Sequence, residues 1–341
     1  MPGNLDPFGG TKIVRLAGPE QLAPALGSVL ESLLDVRPVT ITGLTRMSGG
    51  ASRQTWAFDA TAADRTLPLI LRRAPTAALD GQLMLAEAAA MREAARVGVP
   101  EPDVLVAAAD PDLLGAPFVI MTRVDGETIA RRILRDEEYA EIRPQLAAQC
   151  GRILGALHTM DPGALPTVPD VDPLDLLRSL FEATGMASPT LELAFRWLAA
   201  NRPTATHKAV VHGDFRNGNL IGGPDGIRAV LDWELVHVGD PVEDLGWLCT
   251  KAWRFGAAPP VGGFGEYEDL LAAYESASGV TVVREELRWW ELYGTVRWGV
   301  MCIMQADRHL SGSQQSVELA AIGRRLAEQE YDCIGLLEEL M

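Results

Sequence analysis

Two stretches decide the fold: VVHGDFRNGNLI at residues 210–221 and, shortly after it, AVLDWE at residues 229–234. In them Asp214 stands five residues before Asn219, and a second carboxylate, Asp232, follows two short apolar runs. Transfer of a nucleotide phosphate to a hydroxyl needs one carboxylate to orient the attacking oxygen, and an amide and a carboxylate to hold Mg²⁺ on the phosphates. The order and spacing of these side chains therefore predict a phosphotransfer site.

The residues between Asn219 and Asp232 indicate how these two side chains meet. The turn sequence GGPDG at residues 222–226 separates two short β-prone runs, which is the pattern of a hairpin. A hairpin brings Asn219 beside Asp232, and two oxygen ligands suffice for a hard cation that phosphates and waters also coordinate. A lone Asp or Asn in a Gly-rich loop is usually a turn residue, but turn chemistry needs no second carboxylate after the returning strand. We expect His212 to orient the loop through backbone hydrogen bonds.

Three motifs together resemble a known family: HGD at residues 212–214 with Asn219 after four further residues, LDWE at 231–234, and GDPVEDL at 239–245. This combination is similar to the aminoglycoside phosphotransferase and choline kinase family. A finer resemblance, to the kinase domain that in some proteins is fused to acyl-CoA dehydrogenases, is carried by SGGAS at 48–52, LRRAP at 71–75 and LYGTVRWG at 292–299.

The resemblance implies an α+β, two-lobed protein-kinase-like fold that uses ATP and Mg²⁺. A small antiparallel β-sheet N-lobe would occupy residues 1–121 and carry a phosphate-covering loop. A hinge would follow at residues 122–127. A larger, mainly helical C-lobe over residues 128–341 would carry the catalytic loop and the acceptor pocket.

The N-terminal part of the chain predicts a helix at residues 19–34 and three antiparallel strands, from Val39–Met47, Gln54–Ala60 and Leu67–Arg72. Between the first two strands stand Ser48, Gly49, Gly50, Ala51 and Ser52, whose backbone N–H groups are suited to an anion. For two glycines alone, a plain hairpin turn is the alternative. The resemblance implies instead that this segment covers the nucleotide phosphates.

Arg72 ends the third strand, where kinases of this fold place a lysine that contacts the phosphates. Arginine in place of this lysine preserves the contact with phosphate, because arginine is permanently charged and binds phosphate through two nitrogens. Residues 81–97 predict the next helix, and Glu87 falls where the family places the carboxylate that pairs with the strand residue. The alternative for Glu87 is a solvated charge on the helix surface.

The run from Phe118 to Glu127 indicates a buried strand that leaves into a polar turn, and it resembles the interlobe hinge. The resemblance implies that Met121 lies against the adenine base. It also implies that main-chain groups of Thr122, Arg123 and Val124 read the base, so their side chains matter less.

The C-terminal part predicts helices at residues 144–160 and 284–309. We interpret His158 as a packed structural histidine, since no second metal ligand lies one turn away. Asp240 and Asp244 are expected to brace the catalytic loop by hydrogen bonding. Arg297 lies in an apolar stretch and must be paired if buried, so it either forms an internal salt bridge or receives the carboxylate of an acidic substrate.

Composition narrows the classes of function. The 341 residues carry 30 Lys and Arg against 46 Asp and Glu, and the net charge of −16 disfavours nucleic acid and anionic membranes as partners. The cysteines, Cys150, Cys249, Cys302 and Cys333, are too far apart for a zinc site or a disulfide scaffold. No apolar run is long enough to span a bilayer, and the first residues lack the features of a signal peptide, so we expect a cytoplasmic protein.

These observations together predict an ATP:Mg²⁺-dependent kinase that phosphorylates a hydroxyl of a small molecule. Asp214 would orient the hydroxyl and accept its proton late in the transfer. The finer resemblance implies a hydroxy acid or hydroxyacyl-CoA as acceptor, with Arg297 as its anion anchor. The alternatives are an aminoglycoside or other antibiotic kinase, and a non-catalytic nucleotide-binding pseudokinase module.

Overall fold

A computed structural model describes residues 18–47, 53–75, 81–204 and 207–341. The chain forms two compact units. The first contains the described residues up to Ala89 together with Pro102–Arg123, and the second contains Ala90–Glu101 and Val124–Met341. Of the helices in the described ranges, none is both long enough and apolar enough to span a membrane.

The first unit is built on a five-stranded antiparallel sheet. The strands are β1 Val39–Arg46, β2 Gln54–Ala62, β3 Arg65–Arg73, β4 Val104–Ala108 and β5 Phe118–Thr122. Their order in the sheet is β1-β2-β3-β5-β4. Helix α1, Pro19–Leu34, precedes the sheet, and the short α3, Pro111–Leu114, joins β4 to β5. Helix α2, Gly81–Arg96, follows β3, and its residues from Ala90 onward belong to the second unit. In β3, Arg72 pairs with Thr55 on one side and with Val119 on the other, so it lies on the central strand.

The core of this unit lies between α1 and the sheet. Leu22, Leu26 and Leu30 recur every four residues, so they share one face of the helix, and all three are buried. The sheet contributes alternate residues, such as Leu69 and Leu71 in β3, because successive side chains of a strand point to opposite faces. Each such fully buried side chain stabilises the unit by about 1.5–3 kcal/mol.

The second unit is mainly helical. Its helices are α4 Ala130–Arg135, α5 Leu146–Leu157, α6 Pro173–Ala183, α7 Pro189–Ala200, α8 Val242–Cys249, α9 Tyr267–Ser278, α10 Arg284–Leu310, α11 Val317–Gly323 and α12 Leu326–Leu340. Helix α10 packs against α7, α8, α11 and α12, and α5 packs against α9. The α8–α10 approach requires glycine at position 246, because a Cβ there would lie 2.4 Å from the Cβ of Trp290.

Four short strands in the second unit hold its loops. Strand β6, Ala209–Val211, pairs with β9, His237–Gly239, and β7, Leu220–Gly223, pairs with β8, Gly226–Val230. The β7–β8 pair is the predicted hairpin, with its turn at Pro224 and Asp225. Residues 212–219 therefore form a loop with a strand on either side, and Asp232 follows the hairpin.

Candidate active site

The Asp214 carboxylate is held by three side-chain donors. Its Oδ1 accepts hydrogen bonds from Trp247 Nε1 at 2.8 Å and from Arg216 Nε at 3.2 Å. Its Oδ2 accepts one from Asn219 Nδ2 at 2.5 Å. The side chain is 14% exposed, so it can still touch a molecule from solvent. The carboxylate therefore has a fixed orientation, as required of a group that positions a reactant.

Asp244, on α8, braces the loop that carries Asp214. It is fully buried, and it accepts hydrogen bonds from the backbone N–H groups of His212 at 2.8 Å and Gly213 at 2.9 Å. Burial alone would raise the pKa of Asp244, but the hydrogen bond and the electrostatic interaction with His158 hold it below its usual value. Asp244 thus has the contacts that the sequence predicted. Asp240 does not contact this loop in that way; its carboxylate accepts from Val242 N at 3.0 Å, at the start of α8.

The two histidines near this loop, His158 and His212, form hydrogen bonds with other groups of the protein, as structural residues do. His158 Nδ1 lies 2.9 Å from the Tyr274 hydroxyl and Nε2 lies 3.2 Å from Asp244, so the ring is packed between two polar partners. His212 is fully buried, and its Nδ1 accepts the backbone N–H of Asp214 at 3.1 Å. Burial lowers the pKa of His212, which favours the neutral ring that this hydrogen bond needs. His212 therefore orients Asp214 through the backbone.

Arg297, on α10, is engaged inside the protein. Its Nη2 donates to the Gly213 carbonyl at 2.7 Å, its Nη1 lies 3.4 Å from Glu243 Oε1, and its guanidinium lies over the Trp247 ring at 4.4 Å from the centroid. The Glu243 side chain is only 3% exposed, so its charge needs a partner. Of the two roles considered for Arg297, these contacts favour the internal salt bridge over an anchor for an acidic substrate.

His237 is the second positively charged side chain that contacts Glu243. Its Nε2 lies 3.1 Å from Glu243 Oε2. Burial lowers the pKa of His237, but the charge of Glu243 and the hydrogen bond to it prevail and raise that pKa to about 8. At neutral pH, Glu243 is therefore paired with two positive charges.

The backbone brings Asn219 close to Asp232, the two residues that the sequence predicts as metal ligands. The Leu231 N–H donates to the Asn219 carbonyl at 2.8 Å, so Asn219 lies next to the residue that precedes Asp232. Because Asn219 Nδ2 donates to Asp214, its side-chain oxygen is left for a metal. No group of three or more His, Cys, Asp or Glu side chains suited to a metal occurs in the described ranges. An amide oxygen and a carboxylate fit Mg²⁺, which keeps several waters and binds substrate phosphates.

Glu101 holds the side chain of Trp233, the residue after Asp232, and sequence reasoning missed it. The Trp233 indole N–H lies 3.2 Å from both oxygens of Glu101, and the Val230 N–H donates to the Pro100 carbonyl at 2.9 Å. Burial raises the pKa of Glu101 well above its usual value. These contacts fix the residues on both sides of Asp232, whose φ of 72° is unusual for a residue with a side chain.

In the first unit, Glu87 is paired with two arginines. Arg72 Nη1 lies 3.8 Å from Glu87 Oε2, which places the two predicted partners together. Arg53 Nη2 lies closer, 2.5 Å from Glu87 Oε1, and both side chains of this pair are less than 10% exposed. Sequence reasoning missed Arg53, although its position directly after residues 48–52 was a signal. The predicted phosphate-covering residues Ser48–Ser52 lie outside the described residues.

The residues predicted to read the adenine base lie at the end of β5 and beyond. Met121 is buried and pairs with Ile70 of β3. The Thr122 hydroxyl accepts from Asp103 N at 2.8 Å, and Arg123 forms an ion pair with Asp59 at 3.1 Å. Val124 is the first residue of its segment in the second unit. Base recognition by these residues stays a prediction.

An antiparallel five-stranded sheet in the first unit, a helical second unit, and an Asp-x₄-Asn loop followed by a hairpin and another Asp define a kinase-like phosphotransferase. Comparison with known proteins agrees with this class. Residues 43–290 match the family model described as the phosphotransferase enzyme family. The chain belongs to this family.

Curated relatives include two proteins named after acyl-CoA dehydrogenases. The chain is 28% identical to mouse acyl-CoA dehydrogenase family member 10 over 70% of its own length, and 27% identical to chicken family member 11 over 68%. The match spans only 23% and 33% of the length of these relatives. Viomycin phosphotransferase of Streptomyces vinaceus is 31% identical over 38% of this chain and 48% of its own.

Solved structures confirm the predicted fold. A putative aminoglycoside phosphotransferase from Ralstonia eutropha superposes with a TM-score of 0.72 and 20% identity, over 93% of this chain and 98% of that one. A choline/ethanolamine kinase family protein from Mesorhizobium loti gives a TM-score of 0.59 and 19% identity, over 93% and 96%. At these identities the likeness shows the fold alone.

Proposed function

We propose that this protein transfers the γ-phosphate of ATP, in the presence of Mg²⁺, to a hydroxyl of a small molecule. The observation that carries the proposal is the fixation of the Asp214 carboxylate by Trp247, Arg216 and Asn219. A carboxylate in this position orients the acceptor hydroxyl and accepts its proton late, as the bond from that oxygen to phosphorus forms and the bond from phosphorus to the leaving oxygen breaks. Little else is required, because positioning and charge neutralisation dominate phosphoryl transfer.

The remaining roles follow from the other residues. Asn219 and Asp232 would hold Mg²⁺ through the amide oxygen and the carboxylate. When bound, the cation neutralises phosphate charge. In the first unit, Arg72 is proposed to contact the nucleotide phosphates, with Glu87 fixing its side chain from 3.8 Å. Residues 48–52 are proposed, from the sequence pattern, to close over the phosphates.

We specify the acceptor here only as a small molecule that carries a hydroxyl group. The resemblance favours a hydroxy acid or hydroxyacyl-CoA, but the contacts of Arg297 do not support that choice, since its Nη2 donates to the Gly213 carbonyl and its Nη1 to Glu243. The relative named viomycin phosphotransferase keeps an antibiotic acceptor as the alternative. Asn219 donates to Asp214 and accepts from Leu231, which directly precedes Asp232, and this proximity of the three residues argues against a non-catalytic pseudokinase.

The experiment is a mass-spectrometric screen of hydroxylated metabolites and antibiotics, incubated with the purified protein, ATP and Mg²⁺. We expect one class of compound to gain a phosphate. Asp214→Asn should lower kcat for that compound by about two to four powers of ten while ATP still binds, because the change removes orientation and proton acceptance only. Asp170→Asn, which alters an exposed ion pair with Lys208, is the matched control and should keep full activity. Equal turnover in Asp214→Asn would reject the assignment.

A further inference from the structure

The largest cavity described in the second unit adjoins the Asp214 loop. Its volume is about 1120 Å³, and its walls come from the loop itself, from α4, from the segment after α8 and from α12. Arg216 lines the cavity and is ion-paired with Asp214 at 3.2 Å. A molecule that contacts Arg216 in the cavity is therefore one side chain away from the proposed catalytic carboxylate.

The lining of this cavity has the opposite charge to the chain as a whole. It contains four cations, Arg131, Arg216, Lys251 and Arg325, and two acids, Glu328 and Asp332. The whole chain has 30 basic residues against 46 acidic ones. The four other cavities described here are lined by at least as many acidic as basic side chains. The positive charge is thus concentrated beside the Asp214 loop.

Two of these cations, Arg131 and Arg325, are held in ways that leave them available to an anion. Arg325 pairs with Glu328 at 3.0 Å, but that acid is 59% exposed, and exposed ion pairs contribute about 0–1 kcal/mol. Lys251 is 57% exposed although it pairs with Asp332. Arg131 is exposed and has no ion pair among the described residues. Arg216 lies over the Trp253 ring at 4.4 Å, which fixes its guanidinium. A ligand anion can therefore bind Arg131 and replace the exposed Glu328 at Arg325.

We infer that this cavity binds the phosphoryl acceptor and selects one that carries an anionic group, a phosphate in particular. Arginine favours phosphate because its planar fork donates two parallel hydrogen bonds to phosphate oxygens. Apolar side chains in the same lining, including Ile129, Phe255 and Tyr331, would cover the rest of the acceptor. This inference rests on the proposed function for the reaction, but the binding preference can be measured without turnover.

The test uses four compounds that share a diol and differ in charge: glycerol 3-phosphate, glycerate, glycerol and 3-aminopropane-1,2-diol. Binding of each is measured by ligand-observed NMR with the 341-residue protein, saturated with Mg²⁺ and a non-hydrolysable ATP analogue so that the nucleotide site is occupied. We expect glycerol 3-phosphate to bind most tightly, glycerate next, and the ammonium compound least. The double variant Arg131→Gln with Arg325→Gln should weaken glycerol 3-phosphate binding by about ten-fold or more, since charge-assisted hydrogen bonds are lost.

The matched control is Arg196→Gln with Arg37→Gln. It removes two positive charges at side chains that are 77% and 78% exposed and that do not line this cavity, so glycerol 3-phosphate binding should not change. Equal weakening in the control, no saturable binding of glycerol 3-phosphate, or tighter binding of the neutral or ammonium compound would overturn the inference. Tighter binding of glycerate than of glycerol 3-phosphate would overturn the phosphate assignment.

Parallel assays with ATP separate this inference from the proposed function. Phosphate-selective binding that depends on Arg131 and Arg325, with no phosphorylation of any hydroxylated compound, would support the cavity assignment and reject the reaction. Efficient phosphorylation of a neutral or cationic acceptor, unaffected by the double variant, would support the reaction and reject the cavity assignment.

Discussion

Arg297→Met is expected to destabilise the second unit rather than alter acceptor binding. The substitution removes the 3.4 Å ion pair with Glu243, the 2.7 Å hydrogen bond to the Gly213 carbonyl and the contact with the Trp247 ring. Breaking a buried pair costs about 3–5 kcal/mol, but His237 remains on Glu243 at 3.1 Å and its pKa of about 8 keeps it charged at pH 7. Because His237 still compensates part of the Glu243 charge, loss of the Arg297–Glu243 ion pair is expected to cost about 2–3 kcal/mol. Loss of the hydrogen bond to the Gly213 carbonyl adds about 1 kcal/mol.

The assay is urea unfolding of the variant at pH 7 and pH 9, together with KM for the acceptor once it is known. We expect a loss of about 3–4 kcal/mol at pH 7 and a larger loss at pH 9, where His237 is neutral and Glu243 has lost both of its cations. Arg196→Met, at an exposed pair with Glu192, is the control and should cost less than about 1 kcal/mol. A loss below about 1 kcal/mol at Arg297 with a raised acceptor KM would refute this reasoning and restore the substrate role.

Three further changes test other contacts. Asp232→Ala should abolish the Mg²⁺-dependent part of ATP binding in calorimetric titrations, and an unchanged metal dependence would contradict its role as a ligand. Because the pKa of His237 is raised from 6.5 in the unfolded chain to about 8 in the folded protein, protonation of His237 stabilises the fold fully at pH values below 6.5. This stabilisation is lost as the pH rises through about 8. It amounts to about 2 kcal/mol, so urea unfolding of His237→Gln should lack that part of the pH dependence. Arg53→Gln should lower the free energy of unfolding by about 3 kcal/mol, because Glu87 stays buried with Arg72 at the longer distance of 3.8 Å; an unchanged value would mean that Glu87 does not depend on Arg53.

Local patterns in the sequence predicted the local structure well. The helical spacing of Leu22, Leu26 and Leu30 indicated α1 over the range observed, and the turn residues between Asn219 and Asp232 indicated the β7–β8 hairpin. These features depend on neighbours within a few residues, so side-chain period and turn chemistry suffice to find them. The bracing role of Asp244 was also predicted, because the motif carries it.

Partners distant in sequence were not predictable in the same way. The donor to Asp214 from Trp247 is 33 residues away, and the bond between Trp233 and Glu101 spans 132 residues. The apolar sequence around Arg297 indicated that its charge needs a partner. It did not indicate whether that partner is Glu243 or a substrate, because the partner depends on the rotation of α10 against α8. Periodicity identifies the buried face of a helix, whereas the partner of one polar group on that face depends on packing.

Helix α8 holds the Asp214 loop directly through Asp244 and Trp247, and Gly246 fixes its approach to α10. The geometry around Asp214 therefore depends on the core of the second unit, whereas Arg131 and Arg325 of the large cavity lie on other elements. An evolving or engineered protein could exchange Arg131 or Arg325 for side chains of another charge at little cost in stability. Under the proposed assignments, acceptor choice and reaction chemistry can thus diverge separately, and retargeting should begin at the cavity wall and leave α8 unchanged.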